Sequence, residues 1–120
     1  GRWRGFCEND LEAVIDMQKP SVISHVELNT CVDKGSWIFD ARDIEVSVSQ
    51  DGKTFKQVAT KQLPTLSEDA ADKVYTHKLD FQPTKARYVK VKATSERNMP
   101  EWHSGKGKPA FLFVDEISIM

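Results

Sequence analysis

The sequence predicts an all-β protein, an antiparallel β-sandwich or barrel, on three observations. Apolar residues recur with a period of two along most of the chain. No segment longer than a couple of turns carries a helical stripe, and turn residues punctuate the chain at intervals of about ten positions. At 120 residues the chain is one domain by length, and it is long enough to bury a core without metals or disulfides.

Taken in order, residues 1–9 form a loop with two aromatics, Trp3 and Phe6, which either pack in the core or contact ligand. Residues 11–17 alternate Leu11, Ala13, Ile15 and Met17 against Glu12, Val14 and Asp16, a strand that Lys19 and Pro20 end. Residues 22–32 alternate less cleanly, but their β-branched content favours a strand leading into a loop over 33–40. Ile44, Val46 and Val48 share a face over 43–49, and Asp51-Gly52 follows as the strongest hairpin signal, because Gly52 supplies the positive φ of a tight turn. Residues 61–73 are a polar surface excursion with one helical turn at 67–72. Tyr75, His77, Leu79 and Phe81 line one face of the next strand, Pro83-Thr84 turns the chain, and Val89, Val91 and Ala93 face inward over 87–94. Residues 99–109 are a Pro- and Gly-broken loop that carries Trp102 and His103 on its way to a buried strand over 110–119.

A net charge of −1, from 17 basic and 18 acidic residues, gives no field to recruit nucleic acid or an anionic surface. No apolar stretch reaches about 18 residues, so no membrane span is expected, and no charged-then-apolar leader opens the sequence. Cys7 and Cys31 are too few for a metal knuckle. They are either one disulfide or two separate thiols, and compartment cannot be read from them.

Chemistry-bearing residues are sparse. Asp115 and Glu116 are adjacent on a strand, which directs them to opposite faces and away from a cooperating carboxylate pair. No strand-to-helix nucleophile turn frames Ser104 beside His103. His25 and His77 lie within strands as structural histidines, and His103, followed by Ser104 and Gly105, is expected to face ligand or solvent. No enzymatic activity is expected.

Four stretches carry a resemblance when taken in order: DLEAVID (10–16), SVSQDGKTF (47–55), ARYVKV (86–91) and FVDEI (113–117). Together they resemble the discoidin or coagulation factor V/VIII type C domain. With WIF at 37–39, PEWH at 100–103 and FLF at 111–113, the chain is similar to the family 32 carbohydrate-binding modules appended to bacterial β-N-acetylhexosaminidases. The resemblance implies a jelly-roll sandwich, residues 1–120 forming one module whose N-terminal strand precedes Gly1. It also implies a monomeric, extracytoplasmic, non-catalytic glycan binder, C-terminal to a glycoside hydrolase whose catalytic domain is its other partner. Its ligand would be terminal galactose or N-acetylhexosamine.

A sugar presents an apolar C–H face fringed with hydroxyls, so its site needs an aromatic platform and planar or charged hydrogen-bonding groups. Trp37, Phe39, Trp102 and His103 are candidates for the first, and Arg42, Glu101, Glu8, Asn9 and Asn98 for the second. Trp37 and Trp102 either contact ligand or plug the sandwich end, and Phe39 and Phe111 lean toward core. The resemblance further implies a structural calcium in the complete domain, with Glu116 at the position of its acidic ligand. Two other functions compete: a discoidin-type domain that binds protein or phospholipid, with Lys106 and Lys108 flanking the loop, and an accessory domain that only packs on a catalytic domain.

Overall fold

The structure, a computed structural model, describes residues 2–3 and 10–120. Its strands are β1 (Arg2–Trp3), β2 (Leu11–Cys31), β3 (Asp43–Ser49), β4 (Lys56–Gln62), β5 (Val74–Thr94) and β6 (Phe113–Ile119). They form an all-antiparallel array in the order β1-β6-β2-β5-β3-β4. The two long strands, β2 and β5, pair with each other and make the sheet into a jelly-roll sandwich. The first half of β2 and the second half of β5 belong with β3 and β4, while the remaining halves belong with β6 and β1. Residues of both layers, among them Ile44, Val46 and Val91 from one and Leu28, Val114 and Ile117 from the other, meet in one apolar cluster. Burying each such side chain contributes about 1.5–3 kcal/mol, so the period-two faces hold the layers together.

The alternation expected for 11–17, 43–49 and 87–94 is present, with Leu11, Ile44, Val46, Val89 and Val91 buried. At the hairpin Gly52 has φ 76°, and Asp51 Oδ1 accepts the N–H groups of Thr54 and Lys53 at 3.0 and 2.8 Å. Those bonds to the charged form hold the Asp51 carboxyl down to about 2.

Two expected breaks are corrected. Lys19 and Pro20 do not end the strand, because the ladder slips between Asp16 and Ser21 and then resumes as Ser21 opposite Ala86. Gln18 adopts φ 77° there, with its N–H on Asp16 Oδ1 at 2.8 Å. Pro83-Thr84 does not turn the chain either; β5 runs through it, and Pro83 lies where β5 has no cross-strand register partner, so its missing N–H is not needed. The excursion over 63–73 contains a single turn bond, Ala70 N–H to Ser67 O, instead of a helical turn. The last strand starts at Phe113, and between Val114 and Glu116 it carries a bulge opposite Asn29 and Thr30. Since Val114 and Ile117 are both buried, Asp115 and Glu116 both lie on the outer side, which corrects the expectation of opposite faces.

Where the two layers exchange strands, His25 is held between carboxylates. Its Nε2 lies 3.0 Å from Glu27 Oε1 and its Nδ1 lies 2.5 Å from Asp80 Oδ1. Both ring nitrogens face acceptors, so the imidazolium is favoured, and the bonds to Glu27 and then Asp80 raise its pKa above the ordinary value of 6.5. A raised folded-state pKa means the stabilisation is complete below about 6.5 and is lost as pH rises through the folded value. Thermal melts from pH 5.5 to 8.5 are expected to show a Tm that falls across this window and a smaller fall in His25→Gln. Equal slopes in the two proteins would remove His25 as the source.

Candidate functional site

Residues 33–42, 63–66 and 95–110 leave the sandwich at one end and are laced together by main-chain bonds. Arg42 N–H reaches Thr94 O, Leu63 N–H reaches Arg42 O and Ala110 N–H reaches Glu96 O, at 2.7–2.8 Å. Phe39 N–H bonds Phe111 O and Phe111 N–H bonds Trp37 O, so the segment 37–39 is stitched alongside the end of the second aromatic loop.

The aromatic rings form a second, smaller core. Phe39, Met99 and Ala110 are buried, with Trp37, Leu66 and Trp102 packed against them. Phe39, 1% exposed, stacks on Trp102 with a centroid separation of 6.0 Å and an interplanar angle of 17°. His103 meets Trp37, Phe39 and Trp102 edge-on. Its Nδ1 accepts the Gly105 N–H at 2.9 Å, so Nε2 carries the proton and donates to Lys34 O at 2.6 Å. The expectation that His103 faces ligand or solvent is therefore corrected: it is 8% exposed, and both ring nitrogens are committed to backbone. Gly105 makes this possible, because a Cβ there would collide with Met99 Cε and stand 3.1 Å from the Trp37 ring. Lys108 Nζ lies 5.8 Å from the centroid of Trp37, which ends the 3₁₀ turn 34–36 in the left-handed region with φ 65°. Phe111, expected in the core, is 41% exposed.

At the same loop end is a polar depression of about 470 Å³. Its lining includes Arg42, Gln62, Leu63, Glu96, Arg97 and Asn98. Arg42 donates from Nη1 to Glu96 Oε2 and from Nε to Leu63 O, both at 2.9 Å. Glu96, only 4% exposed, also accepts Thr65 Oγ1–H at 2.9 Å and Asn98 N–H at 3.2 Å. Asp10 closes one side by accepting the Ser95 N–H and pairing with Arg97. Chain proximity ties the depression to the rings: Pro64 and Asn98 line the first, while Leu66 and Met99 pack in the second.

Of the residues singled out from sequence, Arg42 and Asn98 border the depression, and Trp37 and Trp102 are half-buried in the ring cluster. Phe39 and His103 lie inside that cluster. Glu101 sits apart, with its side chain 93% exposed and 3.8 Å from Lys106 Nζ. Glu8, Asn9, Phe6 and Cys7 lie outside the described residues, and Cys31 is a half-buried thiol whose pKa is raised by burial and then by Asp115. Glu116 Oε1 accepts the Ser118 hydroxyl at 3.1 Å, and no group of three or more His, Cys, Asp or Glu among the described residues is arranged to hold a metal.

Two features were missed from sequence. Glu96 was passed over because a carboxylate between Ser95 and Arg97 has no signature of burial. Asp40, in a loop between Phe39 and Ala41, gives no signal of burial in the sequence, yet it is buried, with its Oδ1 accepting Thr30 Oγ1–H at 2.7 Å and Ala41 N–H at 2.8 Å. His77 Nε2 donates to the same carboxylate at 2.9–3.0 Å, which makes it the structural histidine expected. These three groups have the chemistry of a catalytic triad, but Thr30 is fully buried and out of reach of any substrate.

The architecture and the one-ended cluster of loops define the chain as a discoidin-type β-sandwich module. It matches the family described as F5/8 type C domain over residues 1–110, and it belongs to that family. Among solved structures, similar folds include a family 32 carbohydrate-binding module from a family 31 glycoside hydrolase of Clostridium perfringens (12% identity, TM-score 0.56), with 97% of this chain and 72% of that one covered. The C-terminal domain of a chitobiase from Bacteroides fragilis is also similar (19% identity, TM-score 0.53, 92% and 65% covered). A third is a Clostridium perfringens family 32 module in complex with GalNAc-β-1,3-galactose (20% identity, TM-score 0.51, 88% and 67% covered). The chain thus spans about two thirds of the length of these neighbours. No curated protein matches it.

Proposed function

We propose that this domain is a non-catalytic carbohydrate-binding module, which tethers a glycoside hydrolase of hexosaminidase type to glycans ending in galactose or an N-acetylhexosamine. The observation that carries this reading is the depression itself, where the Arg42 fork and the Asn98 amide line a polar hollow at the same loop end as the cluster of aromatic rings. The Arg42 guanidinium and the Asn98 amide are planar groups that suit sugar hydroxyls, the buried Glu96 carboxylate holds the Arg42 fork in place, and the half-buried Trp102 and Trp37 offer apolar surface at the same loop end. Solved neighbours of the same fold, one of them holding a GalNAc-containing disaccharide, support the ligand class. The module works as an extracytoplasmic monomer beside its catalytic domain, and its benefit is effective concentration.

A shallow site for one or two rings buries little surface and desolvates many hydroxyls, so dissociation constants on the order of 0.1–1 mM are expected. Titration of the ¹⁵N-labelled chain with N-acetyllactosamine, GalNAc-β-1,3-galactose and N,N′-diacetylchitobiose tests this. Saturating shifts at Arg42, Glu96 and Asn98 are expected, with no hydrolysis of any of the three. Absence of shifts there with all three sugars, or turnover that follows the protein through purification, overturns the reading.

A further inference from the structure

A second cleft lies on the side of the sandwich, away from the loop end. Its volume is about 670 Å³, and it opens between the outer edge strand β4, at Lys56–Val58, and the stretch of β5 from Asp80 to Thr84. The cleft exists because the edges of the two layers part here. β4 ends one layer, and the first half of β5, paired only with β2, ends the other. Between Asp80, opposite His25, and Thr84, opposite Ile23, β5 places three residues where β2 has only Ser24, so the chain bows out of register.

The lining chemistry is mixed in a specific way. Phe81 and Val58 are half-buried, rest on the main core and supply apolar surface with Pro83. Gln57 and Gln82 face solvent with planar amides, each a donor and an acceptor. Asp80 is fixed through Oδ1 by His25, and its other oxygen has no partner among the described residues. The one ammonium, Lys56, and the one carboxylate, Asp80, balance, so the cleft attracts neither a polyanion nor a cation. An extended peptide adding as a strand is disfavoured. Pro83 has no N–H, residues 81–83 are out of register, and lysines at 56 and 61 guard the β4 edge.

We infer that this lateral cleft is a second saccharide site, one that takes a run of a neutral, unbranched oligosaccharide across Phe81 and between the amides of Gln57 and Gln82. The inference is independent of the loop-end site. Together the two sites would let one module grip a polymer at two places, raising avidity without any new contact.

The test uses the whole chain, ¹⁵N-labelled, titrated separately with tetra-N-acetylchitotetraose and a β-1,4-galactotetraose. At least one sugar is expected to shift the amides of Gln57, Val58, Phe81 and Gln82. The Gln57→Ala/Gln82→Ala double variant, altered only at exposed positions, should weaken that set at least tenfold and leave shifts at Asn98 and Glu96 unchanged. Shifts confined to the loop end, lateral shifts that survive the double variant, or no lateral shift with either sugar overturns the inference. Lateral shifts produced only by a threonine- and valine-rich decapeptide would reassign the cleft to strand addition and overturn it equally. Because the loop-end amides are read in the same spectra, failure of the lateral site is separable from failure of the proposed function.

Discussion

Replacing Phe39 by alanine is expected to destabilise the domain by about 3–5 kcal/mol, the range for deleting a buried aromatic from a core that cannot collapse around the gap. Phe39 is 1% exposed and touches most of what organises the loop end: it stacks on Trp102, meets His103 edge-on and packs with Met99 and Ala110. Its main-chain N–H also joins the two loops through Phe111 O. The layers below belong to a separate apolar cluster, so far-ultraviolet dichroism should keep its β signature while urea denaturation moves to a lower midpoint. Trp102→Ala, measured alongside, separates plug from platform. A ring that only plugs the end loses stability with sugar affinity unchanged once folded protein is compared, whereas a platform loses affinity as well. A Phe39→Ala cost below about 1 kcal/mol would show that the ring cluster does not hold the loop end together.

Much of the fold is legible in the sequence for a simple reason: in a half-buried strand the side chains alternate, so Ile44, Val46 and Val48, or Val89 and Val91, announce their common face. What breaks that period is not legible. Gln18 in the left-handed region, the slip from Asp16 to Ser21, the bow at 81–83 and the bulge near Asp115 each depend on a partner strand many positions away. Pro20 and Pro83 read as strand ends because a proline removes a donor, yet at an irregularity no donor is required. At the loop end, the large side chains in turn-rich segments mark out Trp37, Phe39, Trp102 and His103, but the direction in which they point is not legible. Gly105 beside His103 suggests an exposed tip, whereas it is the absence of a Cβ that lets Trp37 close over the histidine. Glu96 was illegible for a related reason, since its partner Arg42 stands 54 positions earlier.

Arg42→Ala is expected to be the variant that costs both stability and binding. It removes the 2.9 Å bonds to Glu96 Oε2 and Leu63 O and leaves a carboxylate that is 4% exposed with only Thr65 Oγ1–H and Asn98 N–H as donors. Breaking a buried pair from one side costs about 3–5 kcal/mol, and the lower end applies because the Arg42 side chain is itself 39% exposed. Arg42→Lys keeps the charge but not the fork that reaches two acceptors at once, so it should fall between, at roughly 1–2 kcal/mol. The informative comparison is the double variant Arg42→Met/Glu96→Leu, which takes away the orphaned charge with its partner. Replacing an ion pair by apolar groups of similar volume is often neutral, so most of the stability should return, less the bond that Thr65 Oγ1 loses. On the proposed reading sugar binding should not return, because the double variant lacks the partly exposed Arg42 fork that the depression would present to hydroxyls. Urea denaturation and the same sugar titrations on all three variants decide the matter: recovered stability with absent binding assigns the pair to recognition as well as to folding. Full affinity in the double variant would leave Arg42 and Glu96 as structural alone and would move the site away from the depression.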